Sequence, residues 1–169
     1  MAFFITPYIV VLIGWAVHVF VDRVPGRRTG HRMIELLLLW LLVFMGAWAI
    51  FGGITHLSGM SGELAEQIGY TQSMFQWEVG WADIAFGVLG IGCALPRLRD
   101  NWMTAAVVVL LVGYGGDAIG HIMEYVAHDN TAPDNIWAIP SDLVQPILAL
   151  VLLVIYRRGE PKKTTPVST

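Results

Sequence analysis

The chain has 169 residues, of which 56% are hydrophobic and 14% are charged, and its formal net charge at pH 7 is −3. Soluble domains carry about 25% charged residues, so this composition is that of a membrane protein, and the net charge gives no reason to expect a nucleic-acid partner. The single cysteine, Cys93, excludes an intramolecular disulfide and any metal site built from several thiolates.

Five apolar segments predict the fold class. A helix that crosses a bilayer needs about 20 mostly apolar residues, and the sequence offers such segments at approximately 3–21, 33–55, 75–95, 102–126 and 139–156. The third is the least apolar, because it contains Glu78 and Asp83. We therefore expect an all-α, polytopic bundle of about five transmembrane helices over residues 1–158, followed by a disordered cytoplasmic tail at 159–169.

The basic residues predict the orientation. All 10 lysines and arginines follow the first, third or fifth segment, which is one side of the membrane if the chain crosses it five times. The positive-inside rule makes that side cytoplasmic and the N-terminus extracytoplasmic. The prediction is a multi-pass protein of the plasma (inner) membrane, surrounded by lipid, with another membrane protein or a second copy as its candidate partner.

Two outer connections carry helix and turn signals. Residue Ser61 is a plausible N-cap for a short amphipathic segment at 63–68. The segment 129–137 is rich in turn-forming residues and predicts a loop before the fifth span. Pro140 and Asp142 then suit the first turn of that span, where proline and an acidic residue are ordinary helix signals.

The fourth span contains the most distinctive polar pattern. Asp117, His121, Glu124 and His128 fall within a stripe of about 60° on a helix. Carboxylates and imidazoles in one stripe are suited to a divalent transition metal such as Zn²⁺, Fe²⁺, Mn²⁺ or Cu²⁺. The alternatives are that these residues line a water-filled crevice, or that Glu124 and His128 lie among the lipid headgroups.

Other polar residues fall at a similar depth. On the third span Gln76 and Asp83 share a face, whereas Glu78 points about 140° away from Asp83. His56 closes the second span, and Asp142 could face the same region. The predicted metal ligands are therefore Asp117, His121, His56, Glu78 and Glu124, with further polar positions at Asp83, Gln76, His128 and Asp142. As an alternative to a ligand role, His56 could be a histidine at the membrane interface. Glu78 could instead stabilise the first turn of its helix through the helix dipole. We weigh these alternatives equally with metal binding.

Glycines indicate where helices approach each other. Small residues let membrane helices pack closely. The sequence therefore predicts close helix packing at two sets of glycines, namely Gly80, Gly87 and Gly90 on the third span and Gly113, Gly116 and Gly120 on the fourth.

Short motifs carry a resemblance to known proteins. With Phe75-Gln76-x-Glu78-x-Gly80, Asp117-x3-His121 and Asn130-x-Ala132-Pro133, the chain resembles a group of small uncharacterised bacterial inner-membrane proteins and, more loosely, the DoxX-like superfamily of short helical bundles. Some members of that superfamily are linked to thiol or quinone redox complexes. This chain departs from such chemistry in lacking a cysteine pair, and the resemblance assigns no catalytic residue.

Three hypotheses follow. The first is a metal site open to the extracytoplasmic side. The bound metal would either be redox-active or be transferred to a partner protein. The second is a proton- or cation-coupled transporter in which Asp83, Asp117 and His121 form a relay. The third is a non-enzymatic accessory subunit of a larger membrane complex, in which the polar groups hold helices together. Whether the protein is an enzyme stays open at this point.

Overall fold

The computed structural model describes residues 2–26 and 28–159. In this part of the chain all regular structure is helical, which confirms the all-α prediction. The helices are α1 (Ala2–Val21), α2 (Gly30–Leu57), α3 (Ser61–Ile68), α4 (Phe75–Gly92), α5 (Arg99–His128) and α6 (Pro133–Gly159). The tail predicted at 159–169 lies, after its first residue, outside the described residues.

Four of the described helices are long and apolar enough to cross a membrane, namely α1, α2, α5 and α6. The outward faces agree with that assignment: on α1, Leu12, Ile13 and Phe20 are exposed by 55%, 59% and 79%, as lipid-facing side chains would be. The predicted third span corresponds to α4, which has 18 residues and includes Glu78 and Asp83. It falls outside the four because two acidic residues and several glycines lower its hydropathy.

Ion pairs gather the helix ends into a basic end of the bundle, formed by the α1–α2 and α4–α5 connections and the end of α6. The Arg32 guanidinium contacts Asp22 Oδ2 and Glu35 Oε2, each at 2.8 Å, and Arg99 Nη1 lies 3.1 Å from Glu35 Oε1. Because α1, α4 and α6 end here while α2 and α5 begin here, the five long helices alternate in direction. The opposite, acidic end contains α3 and the α5–α6 connection.

A glycine seam joins α2 to α4. A methyl group added at Gly46 would lie 2.8 Å from the Gly87 carbonyl oxygen, and one added at Gly53 would lie 2.5 Å from that of Gly80. Such distances are shorter than real Cβ contacts, so the two backbones touch only because side chains are missing. The seam holds α4 along the length of α2.

The structure shows which helix each of the predicted glycines meets. Gly80, Gly87 and Gly90 pack against α2 and not against α5. On α5, Gly113 meets the ring of Phe86, whereas Gly116 and Gly120 have no neighbour within 4 Å. The outer part of α5 therefore stands away from α4, because nothing fills the space beside its glycines.

The predicted boundaries at the acidic end also need correction. Helix α6 begins at Pro133, so the segment 129–137 is a loop only at its start, and Pro140 lies inside the helix. Asp142 accordingly belongs to the third turn of α6 and not the first. Ser61 does not cap α3: the N-cap is Met60 without a side-chain cap, and the Ser61 hydroxyl donates to Gln76 Oε1 instead, at 2.7 Å.

The apolar core lies towards the basic end. Leu38, Leu41 and Leu42 of α2 and Met103 and Val107 of α5 are no more than 1% exposed. The bundle is thus tightly filled near its basic end, where the buried Asp22 is paired with Arg32.

Candidate functional site

His121 is held in a defined orientation by Asn135. The buried Asn135 side chain donates from Nδ2 to the carbonyl oxygens of His121 (3.3 Å) and Asn130 (3.0 Å), which turns Oδ1 towards His121 Nδ1 at 2.7 Å. An amide oxygen only accepts, so His121 Nδ1 carries the proton. When the imidazole is neutral, its other nitrogen, Nε2, then has a free lone pair.

That lone pair faces Asp142. His121 Nε2 lies 4.0 Å from Asp142 Oδ2, and both side chains are less than a fifth exposed. The separation is too long for a hydrogen bond, and it leaves room for a small cation or a water between the two atoms. The His121–Asp142 pair joins α5 to α6 in the outer half of the bundle.

Prolines on both sides of Asp142 weaken the backbone hydrogen bonding of α6. Pro140 and Pro146 have no N–H to donate. The residue four positions before Pro146 is Asp142, so its carbonyl oxygen loses the usual helical donor. Nearby, the Tyr8 hydroxyl of α1 donates to the Ser141 carbonyl at 3.2 Å. The site therefore offers oxygen acceptors beyond its carboxylates.

Three carboxylates from three helices lie in the outer half of the bundle. Asp83 of α4, Asp117 of α5 and Asp142 of α6 influence one another's charge through the apolar interior, although in the described residues they are not close enough together to hold a metal ion as a group. Each arginine that the structure describes lies at the basic end, whereas His121 Nε2 lies 4.0 Å from Asp142 Oδ2. We call these three aspartates with His121 the outer site.

The outer site is open on one side. Asp117 is exposed, and beside it Gly116 and Gly120 leave the space next to α5 empty. A carboxylate on a membrane-crossing helix costs roughly 2.5 kcal/mol or more without a partner. Asp117 is therefore expected to face a hydrated crevice. The sequence analysis gives such a crevice as an alternative to a metal site.

The α3–α4 connection covers the outer site from the acidic end. Tyr70 stacks on His121 with ring centroids 6.1 Å apart, and burial together with the nearby carboxylates of Glu124 and Asp117 raises the pKa of its hydroxyl. Asn130 Nδ2 donates to the Ile68 carbonyl at 3.0 Å. The connection is thus fixed to the α5–α6 turn that positions Asn135.

The other predicted residues lie apart from this arrangement or at its margin. Glu124 contacts His128, with Oε1 3.1 Å from Nδ1, at the exposed end of α5. Glu78 is exposed in the first turn of α4. His56 has a buried Nδ1 without a hydrogen-bond partner among the described residues.

Gln76 is also buried, with its oxygen on Ser61 and its Nε2 unpartnered in the same part of the chain. Among the described residues, no group of three or more His, Cys, Asp or Glu side chains is close enough together to hold a metal ion. The five-ligand metal site predicted from the sequence stays a prediction.

Sequence patterns missed several residues that shape the site. Asn135 was placed in a loop, although a proline at the first helical position, Pro133, is a recognised helix start. Tyr8, Tyr70 and Tyr114 come from three different segments, and no periodicity within one helix brings them together. Their proximity to the carboxylates is a property of the packed bundle.

One comparison with known proteins gives a match. A model of a family of unknown function (DUF6790) matches residues 1–162. No curated protein and no solved structure gives a significant match. Nothing in these comparisons links the chain to the DoxX-like superfamily. The predicted resemblance to an uncharacterised family is therefore supported, and the looser resemblance to the DoxX-like superfamily is not.

Proposed function

The chain belongs to the DUF6790 family of unknown function, and we propose that it is a membrane protein that binds a cation in exchange for protons at the outer site. His121 Nε2 and the carboxylate of Asp142 are the core ligands, and Asp117 and Asp83 supply the remaining negative charge. The observation that carries the proposal is the orientation of His121, whose free nitrogen faces Asp142 beside two further carboxylates.

Electrostatics supports a cationic ligand. Asp83 and Asp142 are only partly exposed, and two interacting carboxylates in an apolar surrounding are costly to charge without a counter-ion. The exposed Asp117 adds a third negative charge at the open side of the site. The arginines that could compensate are bound at the basic end. Protons and cations from the crevice therefore compete for the same oxygens, and binding of a cation releases protons.

The geometry of His121 supports a metal cation among these ligands. Histidines that bind metals usually donate their second ring N–H to a fixed acceptor, which orients the free nitrogen. Asn135 is such an acceptor for His121. Zn²⁺, Mn²⁺, Fe²⁺ and Cu²⁺ suit a site of imidazole and carboxylate. His56, Glu78 and Glu124 stay as predictions for further ligands.

The membrane orientation is part of the proposal. We propose five crossings, by α1, α2, α4, α5 and α6, in the plasma (inner) membrane with the N-terminus and the outer site extracytoplasmic. The gathering of the described arginines at one end of the bundle supports this orientation. The glycine seam supports a crossing by α4, since it lies along the spanning helix α2.

The test is proton release on cation binding. Zn²⁺, Mn²⁺ or Na⁺ is added to the detergent-purified protein in weakly buffered solution with a pH indicator, and bound metal is counted by mass spectrometry. We expect saturable proton release that is lost in Asp142→Asn and Asp117→Asn. The matched control is Glu66→Gln, which changes an exposed carboxylate of α3 and should behave as the wild type.

Two results would overturn the proposal. One is the absence of proton release with each of these cations in the wild type. The other is equal release from wild type, Asp142→Asn and Asp117→Asn, which would assign the protons to other groups.

A further inference from the structure

Two buried polar atoms lie just beyond the acidic end of the glycine seam between α2 and α4. Gln76 is 6% exposed, and its Nε2 has no hydrogen-bond partner among the described residues. The Nδ1 atom of His56 is buried and unpartnered in the same part of the chain. Buried polar groups in folded proteins are nearly always hydrogen-bonded, either to protein atoms or to an ordered water. These two atoms therefore require a partner.

The seam fixes the height of both residues. Gly53 and Gly80 face each other where the two backbones touch. His56 follows Gly53 by three residues on α2, and Gln76 precedes Gly80 by four residues on α4. Because the two helices are antiparallel and rise about 1.5 Å per residue, His56 lies about 4.5 Å and Gln76 about 6 Å from that contact, both towards the acidic end. The two residues are thus at nearly the same level.

The two residues also lie on the same side of the seam. A methyl group added at Gly52 would lie 3.8 Å from Asp83 Oδ2, so the Gly52 side of α2 faces the Asp83 side of α4. His56 is one helical turn from Gly52, and Gln76 is about two turns from Asp83, spacings at which residues share a helix face. The His56 imidazole and the Gln76 amide therefore enter the same small space between the helices.

Helix α3 restricts what can fill that space. The Ser61 hydroxyl donates to Gln76 Oε1 at 2.7 Å, which leaves Nε2 to donate in another direction. The partner of Nε2 has to accept a hydrogen bond, whereas the partner of His56 Nδ1 has to donate or accept according to the tautomer of the ring. A water molecule does both, and it is small enough for a gap beside two closely packed helices.

From this arrangement we infer that one water molecule is bound between Gln76 and His56. It accepts from Gln76 Nε2 and bonds to His56 Nδ1. It thereby completes a hydrogen-bonded chain that runs from Ser61 of α3 through Gln76 of α4 to His56 of α2, beyond the last glycine pair of the seam. The inference does not depend on the proposed function, because it requires neither a cation nor a change of protonation.

The experiment that detects the water is NMR of the full chain in detergent micelles, with ¹⁵N in the side-chain amides of glutamine. The Gln76 signal is identified by its loss in Gln76→Met. We expect magnetisation transfer between the Nε2 protons and water, with the sign of a long-lived bound water, and its loss in His56→Phe. The matched control is His128→Phe, which changes an exposed histidine and should keep the transfer.

Thermal unfolding tests whether the two side chains share that water. The cycle combines His56→Phe with Gln76→Met in a Ser61→Ala background, where the change at Gln76 no longer breaks the bond to the Ser61 hydroxyl. Each single substitution should lower the unfolding temperature by roughly 2–4 °C, the equivalent of one hydrogen bond in a chain of this size. The double substitution should lower it no further than either single one, since the same water is lost.

Three results would overturn the inference. The first is the absence of transfer between Gln76 and water in the wild type, and the second is undiminished transfer in His56→Phe. The third is additivity in the unfolding cycle, which would show that the two groups are satisfied separately. The NMR measurement on the wild type decides the question even if the variants of the cycle do not fold.

Discussion

Asn135 Oδ1 lies 2.7 Å from His121 Nδ1, and this contact fixes which nitrogen of the imidazole is free. It also joins the outer part of α5 to the first turn of α6, since Asn135 donates to the His121 carbonyl as well. One buried amide thus determines both the distance between two helices and the chemistry of the histidine between them.

Replacing Asn135 by leucine should damage both properties. Asn135→Leu keeps the approximate volume but removes the hydrogen bonds to the His121 and Asn130 carbonyls and leaves His121 Nδ1 without its acceptor, which should lower the free energy of unfolding by about 1–3 kcal/mol. Thermal unfolding followed by circular dichroism in detergent measures the loss. Asn101→Leu, at an exposed position of α5, is the control and should change stability by no more than about 0.5 kcal/mol. Equal effects of the two substitutions would contradict the assigned role of Asn135.

The glycines of α4 and α5 should respond oppositely to alanine. A methyl group at Gly87 would collide with the Gly46 carbonyl oxygen and with Ile50, so Gly87→Ala should cost about 1–3 kcal/mol by overpacking the seam. At Gly116 nothing lies within 4 Å, so Gly116→Ala should be neutral or stabilise the helix by up to about 1 kcal/mol. The same unfolding measurement compares them, and a destabilised Gly116→Ala would show that this face is occupied by another molecule.

The sequence predicts the helices far better than their contacts. Four long apolar segments are visible from hydropathy alone, because each is a local property of about 20 residues. Which glycines meet is not local: Gly87 and Gly116 look alike in sequence, and only the packed bundle separates the buried one from the open one.

The same reasoning applies to the outer site. The Asp117–His121 spacing identifies one stripe of one helix. Asp142 is among the polar positions that the sequence predicts, but Pro140 wrongly suggests a helix start beside it, whereas α6 continues through Pro140 from Pro133. Tertiary contacts, and not turn chemistry, decide that boundary.

The ion pairs at the basic end predict a dependence of stability on pH. The hydrogen bond from Arg32, together with the Val24 backbone N–H, lowers the pKa of Asp22 below its ordinary value of 3.8. A carboxyl group with a lowered folded pKa contributes stability that is complete above the unfolded pKa and is lost as the pH falls through the folded value. Between neutral pH and acid below pH 3.8, the unfolding temperature of the wild type should therefore fall more steeply than that of Asp22→Asn. Parallel curves would remove Asp22 from the acid response.

The proposed orientation can be tested with the cysteine that the chain already has. Cys93 is 0% exposed, so a membrane-impermeant maleimide should leave the wild type unlabelled on intact cells. Glu66 and Arg97 are both exposed, at the acidic and basic ends respectively. Glu66→Cys should be labelled on intact cells, whereas Arg97→Cys should be labelled only after the membrane is opened. The reason is that one proposed crossing, by α4, lies between the two positions and places them on opposite sides of the membrane. Labelling of both on intact cells would exclude a crossing by α4, and the reverse pattern would place the outer site in the cytoplasm.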